Sequence, residues 1–270
     1  MSQADDVVRS TAEAILAARS RGHVLSAPFE GRILDESQAY AVQHLVVAAR
    51  ISRGERPAGW KLGYTSAAMR EQMGVAQPNL GPLTDAMLLD DGAVVPATVL
   101  QPKVEPEIAL VMASDVTSRT DAEGIAAHVA SARAALEVVD SVWDGYRFGW
   151  ADNTADGSSA AYVVLGPEVG IAGCADLAVV LLHNGQPVGR GRGADAMGDP
   201  LVALAWLSDR LLERGQWLRA GDVVITGGLT RAVALEPGDV VSATIGDARV
   251  EVRREASSGN RSIDGGKVGS

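Results

Sequence analysis

The sequence predicts an α+β fold, with a helical region at the front of the chain and a β-rich body behind it. In the first fifty-odd residues, apolar side chains among many alanines recur at helical spacing. From residue 57 onward the chain is punctuated by glycine, and short runs rich in valine and leucine are separated by turn-forming residues. We therefore divide the chain into a helical region at 1–56, a β-rich catalytic domain at 57–255 and a disordered tail at 256–270.

Two helices are predicted in the front region. The first covers residues 5–21, where the apolar positions form one stripe. The second covers residues 34–55, with Asp35 or Ser37 as the N-terminal cap and Gly54 at its end. The stretch between the helices, "SRGHVLSAPFEGR", is predicted to be a loop.

The β-rich body begins with the short strand "GWKLGYTS", followed by one short helix, "SAAMREQMG". The stretch "QPNLGPLTDAML" is rich in turn formers and is predicted as a loop. We predict a helix at 120–134 that leads into a strand at "ALEVVD". A further helix, "DPLVALAWLSDRLLERG", is capped by Asp199 and ends at Gly215. The remaining strand candidates are "GAVVPATVLQP", "VEPEIALVMAS", "SAAYVVLG", "ADLAVVLLHNGQPVG", "GDVVITGGLTRAVALEPGDVVSATIG" and "ARVEVRR", with an Asn-Gly hairpin signal at "HNGQ".

Composition excludes several classes of function. The formal charge of -10 argues against a nucleic-acid partner or an anionic membrane surface. Cys174 is the only cysteine, so there is neither a disulfide framework nor a cysteine-rich metal site. No apolar run reaches the length of a membrane span, and the start of the sequence is acidic rather than basic. We expect a cytoplasmic protein.

The stretch "QPKVEPEIALVM", residues 101–112, places two glutamates one residue apart in an otherwise apolar run. On a strand, Glu105 and Glu107 share one face. Glu137, in "AALEVVDS", is a third acid in a strand-like run. The spacing leaves two interpretations open. The acids lie on the solvent face of an edge strand, or they converge into an oxygen-only site suited to Mg²⁺ or Mn²⁺.

Lys61 lies inside the apolar, glycine-flanked run "GWKLGYTS". Burial or a nearby cation would lower its pKa and make it a usable base or proton shuttle. The alternative is a surface lysine on an edge strand. The four histidines offer no metal-ligand spacing and no nucleophile motif, and we expect no role for His23, His44, His128 and His183.

Six stretches, taken in order, resemble one enzyme family. They are "GWKLGYTSAAMREQMGVAQPNLGPLTDAM", "LQPKVEPEIALV", "LEVVDS", "ADN", "NGQPVGRGRGADAMGDPLVALAWL" and "AGDVVITGGLTRAVALEPGD". Together they resemble the fumarylacetoacetate hydrolase superfamily, in its 2-hydroxypenta-2,4-dienoate hydratase and 4-oxalocrotonate decarboxylase branch. The resemblance covers roughly residues 35–245. It implies a β-rich, partly rolled sandwich behind the helical region, and a homo-oligomer.

The resemblance also implies a set of functional residues. Glu105, Glu107 and Glu137 would hold Mg²⁺ or Mn²⁺, and the dication would cancel the repulsion between the paired glutamates. Lys61 would move protons as a catalytic residue. Substrate-side positions complete the expected set, with Asn79 assigned a catalytic role and Leu62, Gly228 and Thr230 a substrate-binding role.

The reaction that the resemblance implies is lyase chemistry on a short 2-hydroxydienoate or 2-oxo-enoate through a metal-stabilised enolate, as in aromatic catabolism. Hydration and decarboxylation share that intermediate, so other positions must discriminate. Hydratases commonly carry an acid where this chain has Asn79. The stretch "TGGLTRAV" is more similar to decarboxylases, and "YVVLG" is more similar to hydratases. We expect a hydratase. The alternatives are a decarboxylase and a non-catalytic 2-oxo acid binder or partner subunit, associated with a related hydratase or decarboxylase.

Overall fold

The computed structural model describes residues 3–67, 70–71 and 74–256. The short helix predicted at 66–74 lies partly outside the described residues, and the predicted tail at 256–270 lies outside them except for residue 256. Helices and sheets follow the predicted α+β order, and the described part of the chain has two α-helices first and thirteen strands behind them. The division into domains stays a prediction. No helix among the described residues has the length and apolar character needed to cross a membrane.

The first two helices form the front of the molecule. Helix α1 spans Gln3–Arg21, and helix α2 spans Glu36–Ile51. Asp35 caps α2, because its side chain accepts a hydrogen bond from the Gln38 backbone and the Gln38 side chain accepts one from the Asp35 backbone. The apolar faces of the two helices pack against each other and against residues 142–143. Their shared core includes Ile15, Ala39, Val42, Val142 and Trp143.

Among the residues that the structure describes, eight strands form the first sheet and five form the second. The first sheet has the order β2-β1-β10-β5-β6-β7-β3, with β11 paired to β5. Its strands are β1 (Pro57–Gly63), β2 (Asn79–Thr84), β3 (Leu88–Asp90), β5 (Lys103–Met112), β6 (Val129–Val139), β7 (Ala160–Val169), β10 (Val223–Ile225) and β11 (Val233–Ala234). The second sheet has the order β4-β13-β12-β8-β9. Its strands are β4 (Val94–Val95), β8 (Ala178–His183), β9 (Gln186–Arg192), β12 (Val240–Ile245) and β13 (Ala248–Arg254). Further α-helices of the described residues are α3 (Ala122–Ala126), α4 (Trp150–Ala155) and α5 (Pro200–Leu212).

Strands β5 and β6 pair antiparallel along their lengths in the interior of the first sheet. Alternation gives each strand two different faces. One face of β5 carries Val104, Ile108 and Leu110, which join residues of the second sheet such as Leu181 and Val250 in the main core. The opposite face carries the acidic residues of the strand, so the sheet itself separates the core from the functional side chains.

Two predicted elements are wrong. The helix predicted at 120–134 ends at Ala126, and β6 already begins at Val129. Alanine favours helix in isolation, but here pairing with both β5 and β7 overrides that preference. The loop predicted at "QPNLGPLTDAML" contains β2, which pairs with β1 at the edge of the sheet. Pro82 is tolerated there because an edge strand leaves one row of backbone groups unpaired.

Other predicted elements are confirmed. The "HNGQ" stretch joins β8 to β9 as a hairpin, and both Asn184 (φ 50°) and Gly185 (φ 79°) have the positive φ of a two-residue turn. Asp199 caps α5, accepting a hydrogen bond from the Leu201 backbone at 2.7 Å. The candidate "GAVVPATVLQP" contributes only the two-residue strand β4.

Candidate active site

The three glutamates of the predicted metal site converge on one face of the first sheet. Alternation along β5 puts Glu105 and Glu107 on that face, and the antiparallel register places Glu137 of β6 directly opposite Glu105. One carboxylate oxygen from each residue lies within 4.8 Å of the others. Glu107 and Glu137 are fully buried, and β5 is an interior strand. The alternative of a solvent-facing edge strand is therefore wrong.

The crowding of like charges perturbs the ionisation of Glu105 and Glu107. Burial, reinforced by the charge of Glu137, raises the pKa of Glu105 to about 7. The same causes, together with the charge of Glu105, raise the pKa of Glu107 well above its ordinary value. Repulsion between these carboxylates thus favours their protonation, and a bound cation would offset the same repulsion.

The carboxylate oxygens of this cluster are short of hydrogen-bond partners. Glu107 accepts one hydrogen bond, from the Gly227 backbone to Oε2 at 2.6 Å, while its Oε1 has no partner. Neither oxygen of Glu137 has a hydrogen-bond partner, although Oε1 forms an ion pair with Lys61. Gly228 keeps the adjacent space open, because a Cβ there would come within 2.2 Å of Glu105 Oε2. Buried, unsatisfied carboxylate oxygens aimed at one point fit a hard divalent cation.

Lys61 lies on β1 beside the glutamates and is 3% exposed, so the surface-lysine alternative is wrong. Its Nζ lies 3.1 Å from Glu137 Oε1 and donates hydrogen bonds to Ser158 O at 2.8 Å and Ser158 Oγ at 3.2 Å. Burial acts to lower the pKa of Lys61, but the charges of Glu137 and its neighbours outweigh burial and raise the pKa above its usual value. The expected lowering is not found in the metal-free chain, where Lys61 is an ammonium at neutral pH.

Asn79 lies at the start of β2, completely buried, and anchors a polar network. Its amide nitrogen donates to Asn153 Oδ1 at 3.0 Å and to Thr154 Oγ1 at 2.9 Å. Its carbonyl oxygen accepts from Ser158 Oγ at 2.9 Å. Both amide hydrogens are therefore used within the protein. Asn79 holds Ser158 in place, and Ser158 in turn contacts Lys61.

Replacing Asn79 by aspartate tests this network. Aspartate has no hydrogen to donate, so Asn153 Oδ1 and Thr154 Oγ1 would both face a carboxylate in a buried place. We expect the free energy of unfolding to fall by about 1–3 kcal/mol. Chemical denaturation of Asn79→Asp beside the wild type measures the loss. An aspartate variant of undiminished stability would contradict the network.

Several residues of the site have strained backbone. Tyr64 (φ 58°), Tyr146 (φ 59°), Ser158 (φ 57°) and Ser159 (φ 59°) have positive φ although none is glycine. Such conformations cost free energy and cluster at functional sites. Gly63 is required beside them, since a Cβ there would lie 2.2 Å from Asn79 Oδ1 and 2.4 Å from Ser158 Oγ. The local chain is thus shaped to bring Ser158 against Lys61.

A cleft of about 380 Å³ opens onto this arrangement. Its lining includes Lys61, Glu105, Ser158, Lys103, Tyr146 and Arg231. Ser158, Lys103, Tyr146 and Arg231 are not among the residues predicted from the sequence. Lys103 lies within the quoted "QPKVEPE" stretch, whereas no sequence signal marks Ser158, Tyr146 or Arg231.

Two predicted substrate-binding residues lie beside the cleft rather than along it. Leu62 follows Lys61 on β1, so its side chain points to the opposite face of the sheet, where it belongs to the main core. The Thr230 hydroxyl donates to the Arg231 carbonyl at 3.1 Å, and the Thr230 side chain packs near Gly189. Gly228 lies directly against Glu105. The substrate-binding role of all three stays a prediction.

The raised pKa of Glu105, about 7, predicts a pH dependence. Between the ordinary carboxyl pKa and about pH 7, the metal-free native state binds more protons than the unfolded chain. The free energy of unfolding of chelator-treated protein should therefore fall as the pH rises through this range. Protons also compete with a metal, so a divalent cation should bind more weakly below about pH 7.

Denaturation midpoints at about pH 5 to 8, in chelator and in saturating Mg²⁺, measure this dependence. Mg²⁺ should remove the loss of stability at the alkaline end, because it offsets the repulsion among the carboxylates. Identical pH profiles with and without Mg²⁺ would argue against a metal at the three glutamates.

Comparison with known proteins identifies the family. The family model for the C-terminal domain of fumarylacetoacetate (FAA) hydrolase matches residues 65–253. A 2-keto-4-pentenoate hydratase of Burkholderia vietnamiensis is 43% identical over 217 residues, which is 78% of this chain and 82% of that protein. A 4-oxalocrotonate decarboxylase of Pseudomonas putida is 34% identical over 217 residues, covering 76% of this chain and 80% of that protein.

A solved structure of a similar enzyme confirms the fold. The 4-oxalocrotonate decarboxylase of Pseudomonas putida G7, complexed with magnesium and adipate, superimposes with a TM-score of 0.87 at 30% identity. The match covers 93% of this chain and 98% of that one. The expected fumarylacetoacetate-hydrolase-like architecture is confirmed, and the similar enzymes are hydratases and decarboxylases. This chain belongs to the fumarylacetoacetate hydrolase family and is one of its lyases.

Proposed function

We propose that this protein is a divalent-metal-dependent hydratase that adds water to a short 2-hydroxydienoate or the corresponding 2-oxo-enoate. The observation that carries the proposal is the buried cluster of three glutamates beside Lys61, in a chain 43% identical to a 2-keto-4-pentenoate hydratase. Mg²⁺ or Mn²⁺ is the proposed cofactor. Oxygen-only ligands suit both ions, and the similar decarboxylase structure contains magnesium.

Glu105, Glu107 and Glu137 are the residues that would hold the ion. The chemistry that Mg²⁺ or Mn²⁺ supplies when bound there is Lewis-acid stabilisation of negative charge on a substrate oxygen. The fixed carboxylates need no rearrangement, because the β5–β6 pairing already holds them together. Such preorganisation is the main source of electrostatic catalysis.

Lys61 is the proposed acid and base. Hydration adds a proton to one carbon and the hydroxyl of water to another, so a group that both gives and takes a proton is needed. Contacts with Ser158 O, Ser158 Oγ and Glu137 fix the Lys61 ammonium at the buried end of the cleft. Ser158 and Asn79 act as positioning residues, since both hydrogen-bond within the network that orients Lys61.

An ultraviolet assay with Mg²⁺ tests the proposal. 2-Hydroxypenta-2,4-dienoate and 2-oxo-3-hexenedioate are offered separately, and each product is identified by mass. Loss of the dienoate with the gain of one water supports the hydratase. Failure to turn over either acid, with metal still bound, would contradict the proposal and leave a non-catalytic 2-oxo acid binder.

Decarboxylation is the second candidate. It is supported by the 4-oxalocrotonate decarboxylase structure, which the chain matches over 98% of that protein's length. The residue at position 79 also favours it, because a neutral amide is not a base and Asn79 is already bound within the protein network. In the same assay, release of carbon dioxide from the diacid would identify this activity. Self-association and association with a related hydratase or decarboxylase remain predictions.

A further inference from the structure

The turn that carries Ser158 has a strained backbone over three consecutive residues. Gly157 (φ 66°), Ser158 (φ 57°) and Ser159 (φ 59°) all have positive φ. A left-handed conformation costs free energy for residues other than glycine, so such a turn persists only where its surroundings hold it. The Ser158 carbonyl, which accepts a hydrogen bond from Lys61 Nζ, lies inside this turn. The contacts that hold the turn therefore also fix an acceptor of the Lys61 ammonium.

Two aspartates hold the two ends of the turn. Asp156, the residue before Gly157, is buried, and its Oδ2 accepts a hydrogen bond from the Val142 backbone at 2.8 Å. At the other end, the Asp140 backbone donates to Ser159 O at 2.8 Å. The Ser159 backbone donates to Asp156 O at 3.1 Å, which closes the turn on itself. The turn is thus tied at both ends to the segment that follows β6.

Arg19, in the last turn of helix α1, joins these two aspartates. Its Nη2 donates to Asp156 Oδ1 at 2.6 Å and to the Asp140 carbonyl at 2.8 Å. Its Nε also donates to Asp156 Oδ1, at 3.2 Å, and its Nη1 lies 3.5 Å from Asp140 Oδ2. A guanidinium suits such a bridge, because its five donors lie in one plane and point in several directions. One side chain of the helical region thus connects both ends of the turn.

Burial makes the turn depend on the contact between Arg19 and Asp156. The Asp156 side chain is 1% exposed, and the Arg19 side chain is 27% exposed. Burial raises the pKa of Asp156, and the positive charge of Arg19 opposes that rise. Without the guanidinium, Asp156 would be a buried carboxylate that has lost its counter-charge, a state that is relieved by protonation or by movement of the chain. We expect the strained turn to relax in response.

We propose that Arg19 is a positioning residue for the reaction, which acts through Asp156 and the 156–159 turn to hold the Lys61 ammonium in place. The inference rests on the proposed function for the role of Lys61 as acid and base. Helix α1 thereby completes a site whose metal ligands and Lys61 all lie on strands of the first sheet. Arg19 contributes by fixing the turn and makes no contact with the reacting groups.

Labelling of the lysine side chains tests the proposal without any substrate. The chain has only three lysines, at positions 61, 103 and 267, so nuclear magnetic resonance of protein labelled with carbon-13 at the lysine Cε gives three signals. Lys61→Met removes one signal and so assigns it. In Arg19→Gln the Lys61 signal should shift or broaden, while the Lys103 signal stays unchanged. A Lys61 signal identical to that of the wild type would overturn the proposal.

Kinetics separate positioning from a general loss of stability. Arg19→Gln should lower kcat by about 10–100-fold, the scale of a small misplacement of a reacting group. KM and Mg²⁺ affinity should stay within about twofold of the wild type, because the β5–β6 pairing holds the glutamates. In the Lys61→Met background, Arg19→Gln should lower kcat by less than about twofold, because a residue that acts through Lys61 has nothing left to position. Equal losses in both backgrounds would indicate a purely structural role and overturn the proposal.

Arg21→Gln is the matched control, because Arg21 is exposed in the same last turn of α1 and the variant removes the same charge. It should leave kcat and the Lys61 signal unchanged. Arg19→Lys serves if Arg19→Gln does not fold, since it keeps a positive charge beside Asp156 but cannot reproduce the bridge to Asp140. It adds a lysine signal of its own, and it should also shift the Lys61 signal and lower kcat. Wild-type values for both would overturn the proposal.

The two readouts also separate this inference from the proposed function. A shifted Lys61 signal in Arg19→Gln, with neither acid turned over by the wild type, would contradict the proposed function alone. Turnover by the wild type, with an unmoved Lys61 signal in Arg19→Gln, would contradict this inference alone.

Discussion

Lys61→Ala should lower kcat by about 10²–10⁴, the range typical of losing a general acid or base. The loss should fall on turnover and not on metal binding. Lys61 Nζ lies 3.1 Å from Glu137 Oε1, and its positive charge opposes a second cation there. Affinity for Mg²⁺ or Mn²⁺ should therefore be unchanged or greater in the variant. Steady-state kinetics and calorimetric metal titration measure the two effects separately.

Lys61→Met is the control for packing. Methionine fills most of the buried volume that alanine leaves empty, so a cavity effect would appear in Lys61→Ala alone. Both variants should lose activity to a similar extent. Activity near the wild-type level in either one would remove Lys61 from the mechanism.

Glu107→Gln should weaken metal binding by at least about 100-fold. Replacing a residue that only orients a metal ligand already lowers metal affinity by about 10–100-fold, and Glu107 is itself a proposed ligand. The exchange is nearly isosteric, and glutamine can still accept the hydrogen bond that the Gly227 backbone donates. The fold should survive. Without metal, the variant should even be more stable than the wild type at about pH 8, since one carboxylate of the repelling cluster is gone and Glu107 is fully buried.

Glu168→Gln provides the matched comparison, because Glu168 is an exposed glutamate of β7 outside the cluster. It should leave metal affinity and activity unchanged. Activity of Glu107→Gln at the wild-type level in chelator-treated buffer would contradict the metal site. Reduced stability of that variant without metal would contradict the repulsion among the three glutamates.

Local sequence patterns predicted the capped helices and the Asn-Gly hairpin, because each depends on residues a few positions apart. Helix α2 and the β8–β9 hairpin are examples. The patterns failed where pairing between distant segments decides the structure. The alanines before Glu137 favour helix on their own, yet they pair as a strand between β5 and β7. Proline and glycine in "QPNLGPLT" suggested a loop, yet that stretch is an edge strand.

The candidate site shows the same division. The spacing of Glu105 and Glu107 predicted a shared face, and the apolar runs around Glu137 and Lys61 marked both as candidates. The family resemblance then implied their roles. Register was needed to place Glu137 opposite Glu105. Ser158 could not be found from sequence, because its importance comes from a positive-φ turn that brings it to Lys61. Arg231 was missed for the same reason, since the connection that carries it gains its position only by lying along β5.

The pairing of β5 with β6 has a consequence for how this enzyme can change. The metal ligands belong to the two strands that also build the main core, so any shift in those strands disturbs folding and chemistry together. Other residues of the cleft, such as Tyr146 and Arg231, lie on the connections 144–148 and 230–232, which can vary with little effect on the sheet. New substrates should therefore be easier to obtain than new reactions. Directed evolution of this chain should begin in those two connections and leave the paired strands untouched.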